Sequence, residues 1–221
     1  MVITAPSEDA PMFVVGVNHE CYNPEMTIVS NANCSTNCIV PLCQVIHDHF
    51  EIVEGLVTII HATTMTQKIL DGTGIERRRA RSALCNIFPT TTRTTEALGK
   101  IMPELEGKIN CVQYRVPAAD VSVVDLSVIL RKEVSFELLL CRIKRAADTY
   151  LKRILGFVTE DVVSTDFISD SRSSIFDAKA SMALTKNYIK LIAWYDNEFG
   201  YAHRVLDFVD FMATKEVKKS T

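Results

Sequence analysis

The sequence lacks any run of apolar residues long enough to cross a bilayer, for which about 18 residues are needed. Its first stretch, "MVITAPSEDAPMFVVGVNHE", contains no basic segment leading into an apolar one, which is the pattern of a secretory signal peptide. We therefore expect no membrane partner and a cytoplasmic location.

Cysteine spacings typical of disulfide or zinc modules are also missing. The chain has seven cysteines, an odd number, and no two of them are spaced as CxxC. A disulfide framework normally uses an even set, and a zinc module normally uses close pairs, so neither is expected. Free thiols are typical of a reducing compartment.

An excess of positive charge is absent as well. The 24 Lys and Arg residues are outnumbered by 27 Asp and Glu residues, which gives a formal net charge of -3 at pH 7. No overall basic field favours nucleic acid or an anionic membrane. One basic loop, "GIERRRARS", is interpreted as a solvated loop, with nucleic-acid contact as the alternative.

What the sequence does have is enough apolar content for a sizeable core, at 48% hydrophobic and 23% charged residues. Apolar residues at intervals of three and four predict a helix from Ile39 to Phe50, which Pro41 should kink or confine to one side. The β-branched run "GLVTIIHATT" predicts a buried strand ending at His61.

Further elements follow in mixed order. Strands are predicted at "INCVQYRVP" and "VSVVDLSVILRK", with a turn at "PAAD" between them, and at "SSIFD" and "YIKLIAWYD". Helices are predicted at "TTTRTTEALGKIMPEL", at "SFELLLCRIKRAADTYL" and from about residue 198 to 213. This order indicates an α+β domain with a mixed, mostly antiparallel sheet covered by helices on one face.

The N-terminal region is predicted to contain two short strands, "MVITAP" and "MFVVGVN", separated by the turn-forming "PSEDAP". A chain that opens in this way would begin inside a sheet, so we expect preceding material to be missing.

Cys34 lies in "SNANCSTNC", where a loop of small polar residues turns into a helix. A cysteine reacts as its thiolate, and its pKa of about 8.5 falls at a helix N-terminus or beside an imidazolium. Cys38 would lie one turn deeper, so Cys34 is the better nucleophile candidate. The alternative for both is the commonest role of free cysteine, a small buried residue.

His61, at the predicted end of a core strand, is the candidate base. An imidazole beside a thiol can take its proton and later return one, which is typically worth about 100- to 10,000-fold in rate. The alternative is a structural histidine whose hydrogen bonds are satisfied within the fold.

Five blocks of sequence are very specific in their order and separation: "SNANCSTNC", "HATTMTQKILDG", "NIFPTTTRTTEALGK", "YRVPAADVSVVDL" and "WYDNEFGY". Together they resemble the catalytic half of the glyceraldehyde-3-phosphate dehydrogenase family, from residue 2 to about 215. The resemblance implies remnants of a Rossmann domain at 1–30, a catalytic domain at 31–197, and a C-terminal helix at 198–221 that would pack on the dinucleotide-binding domain.

The resemblance also implies a covalent reaction. The cysteine matching Cys34 attacks the aldehyde of glyceraldehyde 3-phosphate, hydride passes to NAD, and inorganic phosphate cleaves the resulting thioester. The histidine matching His61 activates the thiol and removes the hydroxyl proton of the hemiacetal.

By the same resemblance, Thr64, Thr66 and Arg115 would bind the phosphate of the substrate. Hydroxyl and guanidinium donors suit a dianion, and arginine can hold it with two parallel hydrogen bonds. For each threonine taken alone, use in a strand or as a helix cap is the alternative.

The attacking phosphate would lie near Ser35, Thr92 and Arg93, with Arg81 close by. Arg93 stands where the family has a glycine, which adds charge and leaves two consequences open: exclusion of the phosphate, or strain in a turn that needs a positive φ. Asn33 stands where the family usually has serine, and its amide can still donate to the substrate.

NAD is the implied cofactor, and Asn197 matches the asparagine that holds its nicotinamide carboxamide. The GxG motif at 72–74 is a decoy, because it lies in a loop and Arg77 replaces the third glycine. We expect weak NAD binding, since most of the cofactor's binding energy comes from its adenine, ribose and pyrophosphate.

Three interpretations of the whole chain follow. It is a partial sequence of a working phosphorylating dehydrogenase, or a diverged and truncated paralogue that acts as a partner subunit, or a thiol protein. In the last case Cys34 serves as a redox sensor or as an acyl acceptor that needs no NAD. A homo-oligomer, or a hetero-oligomer with related subunits, is expected.

Overall fold

The computed structural model describes residues 1–74 and 76–219. Ile75 of the basic loop, and residues 220 and 221 of the predicted C-terminal segment, lie outside the described residues. The strands are β1 (Val2–Ile3), β2 (Val29–Ser30), β3 (Ile52–His61), β4 (Phe88–Thr90), β5 (Ile109–Arg115), β6 (Ser122–Leu130), β7 (Leu155–Val158), β8 (Ser174–Ala183) and β9 (Tyr188–Tyr195). The α-helices are α1 (Cys34–Phe50), α2 (Thr94–Ile101), α3 (Phe136–Asp148) and α4 (Phe199–Lys219).

Seven strands form one sheet in the order β4-β5-β3-β6-β9-β8-β7. The pairs β3 with β5 and β7 with β8 are parallel, and the other neighbours are antiparallel. The mixed, mostly antiparallel sheet predicted from the sequence is therefore confirmed. β5 and β6 follow each other along the chain but do not pair, because β3 lies between them.

One face of this sheet is covered by helices. Along β6, buried and half-buried residues alternate strictly, as expected for a strand with a single covered face. α1 contacts β3, β6, β8 and β9, while α2 packs on β5 and α3 on β7 and β8. Ile39, Leu42 and Ile46 of α1 are fully buried. Each such side chain contributes about 1.5–3 kcal/mol relative to its exposed state.

Helix α1 begins at Cys34 and is capped by the residue before it. Asn33 Oδ1 accepts a hydrogen bond from the backbone N–H of Thr36 at 2.7 Å, which satisfies one donor of the first turn. The helix continues on both sides of Pro41, so the expectation that its regular part is confined to one side was wrong. Proline removes only one helical hydrogen bond, and the buried face of α1 holds the flanking turns together.

The N-terminal region forms a separate two-stranded sheet. β1 and β2 pair in parallel, and Met12 adds an isolated parallel bridge to Ser30. The strand predicted at "MFVVGVN" is wrong beyond that bridge, because Asn18 folds the segment back. Its side chain accepts from the N–H of Val14 at 2.8 Å and donates to the carbonyl of Met12 at 2.9 Å. The assignment of residues 1–30 to a dinucleotide-binding domain stays a prediction.

Helix α4 packs on the N-terminal region through Phe208. This side chain is fully buried, with ring centroids 5.2 Å from Phe13 and 6.0 Å from Tyr22. Leu206 and Val209 lie on an outer face and are 65% and 45% exposed. Neither α4 nor any other helix in the described part of the chain is long and apolar enough to cross a membrane.

Candidate active site

The structure brings Cys34 and His61 together from two different elements. Cys34 is the first residue of α1, and His61 is the last residue of β3. Cys34 Sγ lies 3.7 Å from His61 Nε2, within hydrogen-bonding range for sulfur. His61 is only 4% exposed, whereas Cys34 is half-buried. A nucleophile and a base in direct contact are the minimum requirement for thiol-based covalent chemistry.

Burial is the main influence on the protonation states of this pair. Burial raises the pKa of the Cys34 thiol, and hydrogen bonds from Ser35 together with the charge of Arg115 only partly oppose it. Burial, followed by the charge of Arg115, lowers the pKa of His61 to about 4. At neutral pH the pair is therefore a thiol and a neutral imidazole. The position of Cys34 at a helix N-terminus does not lower the pKa of its thiol in this state, because burial disfavours the thiolate more strongly.

The second ring nitrogen of His61 faces two groups. Nδ1 lies 2.8 Å from the carbonyl oxygen of Ala62 and 2.5 Å from Arg115 Nη1. Arg115 Nη1 also donates to the same Ala62 oxygen at 3.0 Å. The arginine is there because His61 and Arg115 are direct partners across the parallel ladder of β3 and β5, which places their side chains on the same face of the sheet.

A cavity of about 530 Å³ lies beside Arg115. Thr64, Thr66, Arg79 and Arg115 are among the polar residues that line it. The hydroxyls of the two threonines are 3.0 Å apart. The structure thus brings together the three residues predicted to bind the substrate phosphate, and it adds Arg79, which the sequence reasoning missed although it lies in the basic loop.

Gln67 is a second residue of this cavity that the sequence reasoning missed. Its Oε1 accepts a hydrogen bond from the backbone N–H of Thr64 at 2.9 Å, which fixes the turn after β3. The quoted block "HATTMTQKILDG" contains it, but nothing in the sequence separates a glutamine that holds a turn from one in solvent.

Arg81 and Arg93, which were predicted to lie near the attacking phosphate, form ion pairs with carboxylates instead. Arg81 Nε lies 3.0 Å from Asp71 Oδ2, and Arg93 Nη1 lies 3.7 Å from Glu8 Oε1. Arg93 is the residue before α2 and has a φ of -88°. The strain of a positive φ, one of the two consequences left open for Arg93, is therefore absent at this position.

The other two residues of that predicted site form short polar contacts. Ser35 is buried, and its Oγ lies 2.9 Å from the hydroxyl of Tyr195. Thr92 Oγ1 lies 2.8 Å from Thr94 Oγ1 and accepts a hydrogen bond from the N–H of Thr94 at 3.2 Å. It thereby satisfies a backbone donor in the first turn of α2. Whether these residues receive a phosphate stays a prediction.

Two hydrogen bonds through Ser122 link the side chain of Asn197 to the backbone beside His61. Its Oδ1 accepts from Ser122 Oγ at 2.9 Å, and Ser122 Oγ accepts from the N–H of Ala62, the residue after His61, at 3.0 Å. This bond fixes the orientation of the side-chain amide, and its NH₂ group then points away from Ser122. The sequence did not single out Ser122 or Tyr195, because a strand serine and a strand tyrosine are commonplace.

The mixed sheet thus presents a half-buried thiol and a buried imidazole beside an arginine-lined cavity, an arrangement compatible with a thiol-dependent catalytic domain. The glyceraldehyde 3-phosphate dehydrogenase C-terminal domain family matches residues 33–197. The chain belongs to this family, and the matched region includes both Asn33 and Asn197.

Relatives extend this similarity along the chain. The chain is 54% identical over 214 residues to the cytosolic glyceraldehyde-3-phosphate dehydrogenase of Craterostigma plantagineum, covering 96% of this chain and 64% of the relative. It is 52% identical to glyceraldehyde-3-phosphate dehydrogenase 2 of Drosophila melanogaster, covering 98% and 65%. A chloroplastic form from Arabidopsis thaliana is 54% identical, with 96% and 51% covered. The chain thus spans slightly less than two thirds of the first two relatives.

Proposed function

We propose that this chain carries the catalytic chemistry of NAD-dependent oxidative phosphorylation of glyceraldehyde 3-phosphate to 1,3-bisphosphoglycerate. The observation that carries the proposal is the 3.7 Å contact between Cys34 Sγ and His61 Nε2 at the edge of an arginine-lined cavity. Family membership and the relatives' names support the choice of reaction.

In the first step His61 takes the proton of Cys34, the sulfur attacks the aldehyde carbon, and His61 returns that proton to the former carbonyl oxygen, which gives a thiohemiacetal and restores the neutral imidazole. A neutral imidazole suits this role, because a histidine with a pKa of about 4 carries no proton on its basic nitrogen at neutral pH. His61 then removes the hemiacetal hydroxyl proton as the carbon loses hydride, which leaves a thioester on Cys34. Phosphate attacks this thioester, the C–S bond breaks, and His61 gives its proton to the sulfur, which restores both the thiol and the neutral imidazole.

The substrate phosphate is assigned to Thr64, Thr66, Arg79 and Arg115. Two hydroxyls and two guanidinium groups offer enough donors for all three terminal oxygens of a phosphate. The attacking phosphate is assigned, as predicted, to the region of Ser35, Thr92 and Arg93, with Arg81 nearby. For this second site Glu8 and Asp71 must release their arginines.

The fit to NAD is partial. Asn197, with its carbonyl held by Ser122, suits the carboxamide of a nicotinamide ring, and hydride acceptance is the chemistry that NAD supplies when bound. In the described ranges 1–74 and 76–219, no helix opens on a glycine-rich turn of the kind that holds a pyrophosphate. We therefore expect this chain to bind NAD weakly.

The two remaining interpretations make different predictions. A thiol protein would be acylated at Cys34 without NAD, and a partner subunit would co-purify with a longer relative. We expect an oligomer of identical or related subunits, and the names of the cytosolic relatives support a cytoplasmic location, although chloroplastic relatives match as well.

The experiment is to detect the acyl-enzyme directly. The purified chain is mixed with glyceraldehyde 3-phosphate and NAD without phosphate, and the mass of the Cys34 peptide is compared with that of Cys34→Ser, His61→Gln and the matched control Cys38→Ser. We expect an acyl adduct on wild type and the control, none on Cys34→Ser, and slower formation on His61→Gln. NADH release on adding phosphate then measures turnover, which we expect to be low.

Acylation of Cys34 by an activated ester but never by aldehyde plus NAD, even at high NAD, would replace the dehydrogenase proposal with the acyl-acceptor interpretation. An aldehyde-derived adduct on another cysteine would refute the assignment of the nucleophile.

A further inference from the structure

A second cavity lies at the edge of the sheet, where the end of α3 faces β7. Its volume is about 430 Å³, which is room for on the order of ten water molecules. It shares no lining residue with the cavity beside Arg115. Its charged lining consists of four basic residues and two carboxylates: Lys144, Lys152, Arg153, Arg172, Asp148 and Asp170. Positive charge therefore exceeds negative charge here, on a chain whose net charge is -3.

Most of the basic groups of this cavity are not neutralised. Asp170 Oδ1 accepts from Arg172 Nε at 2.9 Å, so one of the two carboxylates is already occupied. Lys144, Lys152 and Arg153 form no ion pair in the described part of the chain. Unpaired cations around a concave surface concentrate the local field, and they attract anions more strongly than scattered surface charges do.

Arg172 reaches the cavity because Gly156 has no side chain. A Cβ at Gly156 would lie 2.4 Å from Arg172 Nη1, which is closer than a real Cβ atom approaches. The guanidinium therefore lies on the backbone of β7, the last strand of the sheet. Its Nε and Nη2 hold Asp170, whereas its Nη1 makes no hydrogen bond in the described ranges. Nη1 is thus left as a donor for a ligand.

Arg153 adopts a backbone conformation that favours glycine. Its φ is +73°, in the left-handed region that is unfavourable for a residue with a Cβ. Arg204 of α4, only 3% exposed, holds it there by donating from Nη1 to the carbonyl oxygen of Arg153 at 3.0 Å. Backbone strain of this kind is concentrated at functional sites. An arginine at a position that favours glycine indicates a use for its side chain.

We propose that this cavity binds a small anion carrying two or more linked phosphate groups, with the four basic side chains as donors. Ammonium and guanidinium groups form charge-assisted hydrogen bonds with phosphate oxygens. A single phosphate fills only part of the cavity, whereas a diphosphate offers more oxygens and more charge to donors spread around it. This site is separate from the proposed catalytic function and does not depend on it.

The phosphates of the ligand, and not an attached base, are the groups that the cavity recognises. Phe157 is the one aromatic residue of the lining. Its ring is contacted by Lys144 Nζ at 6.0 Å and by the ring of Phe176 at 5.5 Å. Because this ring is already packed, a nucleoside gains no free stacking surface. Inorganic diphosphate and a nucleoside diphosphate share the required chemistry, and the cavity should bind them about equally.

The first test is protection of lysines from acetylation by an N-hydroxysuccinimide ester, measured on the full chain by peptide mass spectrometry. Inorganic diphosphate should slow acetylation of Lys144 and Lys152 several-fold, and chloride at equal ionic strength should not. Lys186, between β8 and β9, is the internal control and should keep its rate. Unprotected Lys144 and Lys152, or equal protection of Lys186, would overturn the inference. Because the measured rates belong to individual lysines, diphosphate bound beside Arg115 does not affect this test.

Arg153→Gly separates binding from stability. It removes one donor, so the diphosphate concentration for half-protection should rise by about tenfold, as for a lost hydrogen bond to a charged group. It also places glycine at a φ of +73°, so the midpoint of thermal unfolding should not fall below that of wild type. The control Lys186→Gln should change neither quantity. Wild-type protection in Arg153→Gly would overturn the inference.

Lys152→Gln tests binding even if Arg153→Gly proves unstable. Lys152 is exposed, so its replacement should leave the unfolding midpoint unchanged while more diphosphate is needed to protect Lys144. Protection of Lys144 at the wild-type concentration would overturn the inference.

The last comparison replaces inorganic diphosphate by ADP. Equal protection at equal concentration supports recognition of the linked phosphates, and much tighter binding of ADP would overturn the assignment to phosphates alone. The acyl adduct on Cys34 is measured separately. Lysine protection without the adduct would support this site and refute the proposed reaction, and the adduct without protection would do the opposite.

Discussion

At the scale of single residues, the cysteine at the start of α1 shows how two physical effects compete. The N-terminus of a helix favours a thiolate, whereas burial favours a thiol, and burial raises the pKa of Cys34. The same argument applies more strongly to Cys38, one turn deeper, where burial raises the pKa to about 12. The sequence identifies the reactive position, but the net sign of its pKa shift depends on neighbours that only the fold supplies.

Thiol reactivity gives the first prediction. Iodoacetamide should label the exposed Cys21, Cys85 and Cys141 faster than Cys34 at neutral pH, because Cys34 is half-buried and burial disfavours its thiolate. Peptide mass spectrometry of a time course measures the order. Labelling of Cys34 ahead of all three exposed cysteines would contradict the thiol assignment.

The low pKa of His61 gives the second prediction. The unfolded chain binds a proton at His61 below a pKa of about 6.5, while the folded chain does so only near 4. Stability is therefore highest above pH 6.5 and falls as the pH drops from 6.5 to 4, by at most about 3 kcal/mol from this group.

Denaturant unfolding at several pH values measures this dependence. His61→Gln should flatten the curve in that interval, and the control His203→Gln, on α4, should leave it unchanged. An unchanged slope in His61→Gln would show that other groups cause the acid loss of stability.

The contact between Tyr195 and Ser35 gives the third prediction. Tyr195→Phe should lower the free energy of unfolding by about 1–3 kcal/mol, because it leaves the buried Ser35 hydroxyl without its partner. In a Ser35→Ala background the same change should cost clearly less, which a double-mutant cycle by urea unfolding measures. Additive effects would mean that the two hydroxyls are not coupled.

At the scale of secondary-structure elements, α1 positions Cys34, which is the first residue of its first turn. The fourth prediction concerns Asn33, the residue that caps this turn. Asn33→Ala should destabilise the protein by about 1 kcal/mol, since the N–H of Thr36 loses its acceptor. Asn33→Ser, a capping residue with the same function, should stay within a few tenths of a kcal/mol of wild type. Urea unfolding compares the three proteins, and equal losses for alanine and serine would exclude a capping role.

Elements with strong periodicity could be predicted from the sequence, whereas their pairing could not. The alternation of β6 and the apolar spacing in α1 identify both elements, and β3 ends at His61 as expected. The position of β3 between β5 and β6 could not be predicted from local sequence, because strand pairing depends on strands that are distant in the chain. For the same reason the contact between His61 and Arg115 was missed, although both residues had been singled out.

Segments governed by side-chain hydrogen bonds were the hardest to predict. "MFVVGVN" is apolar enough for a strand, but Asn18 binds the backbone at both Met12 and Val14 and turns the segment instead. A local side-chain bond of this kind competes with strand pairing, and composition alone does not reveal which one wins.

At the scale of the whole molecule, the outer face of the sheet carries apolar side chains. Leu56 of β3 is 66% exposed, Val112 of the adjacent β5 is 41% exposed, and Tyr188 of β9, on the far side of β6, is 40% exposed. Exposed apolar groups that cluster in this way favour association between subunits, in agreement with the proposed oligomer.

This face gives the fifth prediction. Leu56→Lys should shift the mass measured by light scattering towards the monomer, because a charge in a buried apolar contact is unfavourable. The control Leu184→Lys, at a residue 74% exposed beyond the end of β8, should leave the mass unchanged. An unaltered oligomer in Leu56→Lys would exclude this face as the interface.

The pairing of His61 with Arg115 across a parallel ladder also bears on how the protein folds. These residues are 54 positions apart in the chain, so a long loop must close before β3 and β5 can meet, and pairing of this kind is slow to form. A chain that has folded only as far as β3 holds Cys34 and His61 but no arginine beside them. During synthesis or refolding, the arginine-lined cavity should therefore form only after β5 has paired with β3, so anion binding to this cavity reports complete folding better than the presence of the thiol does.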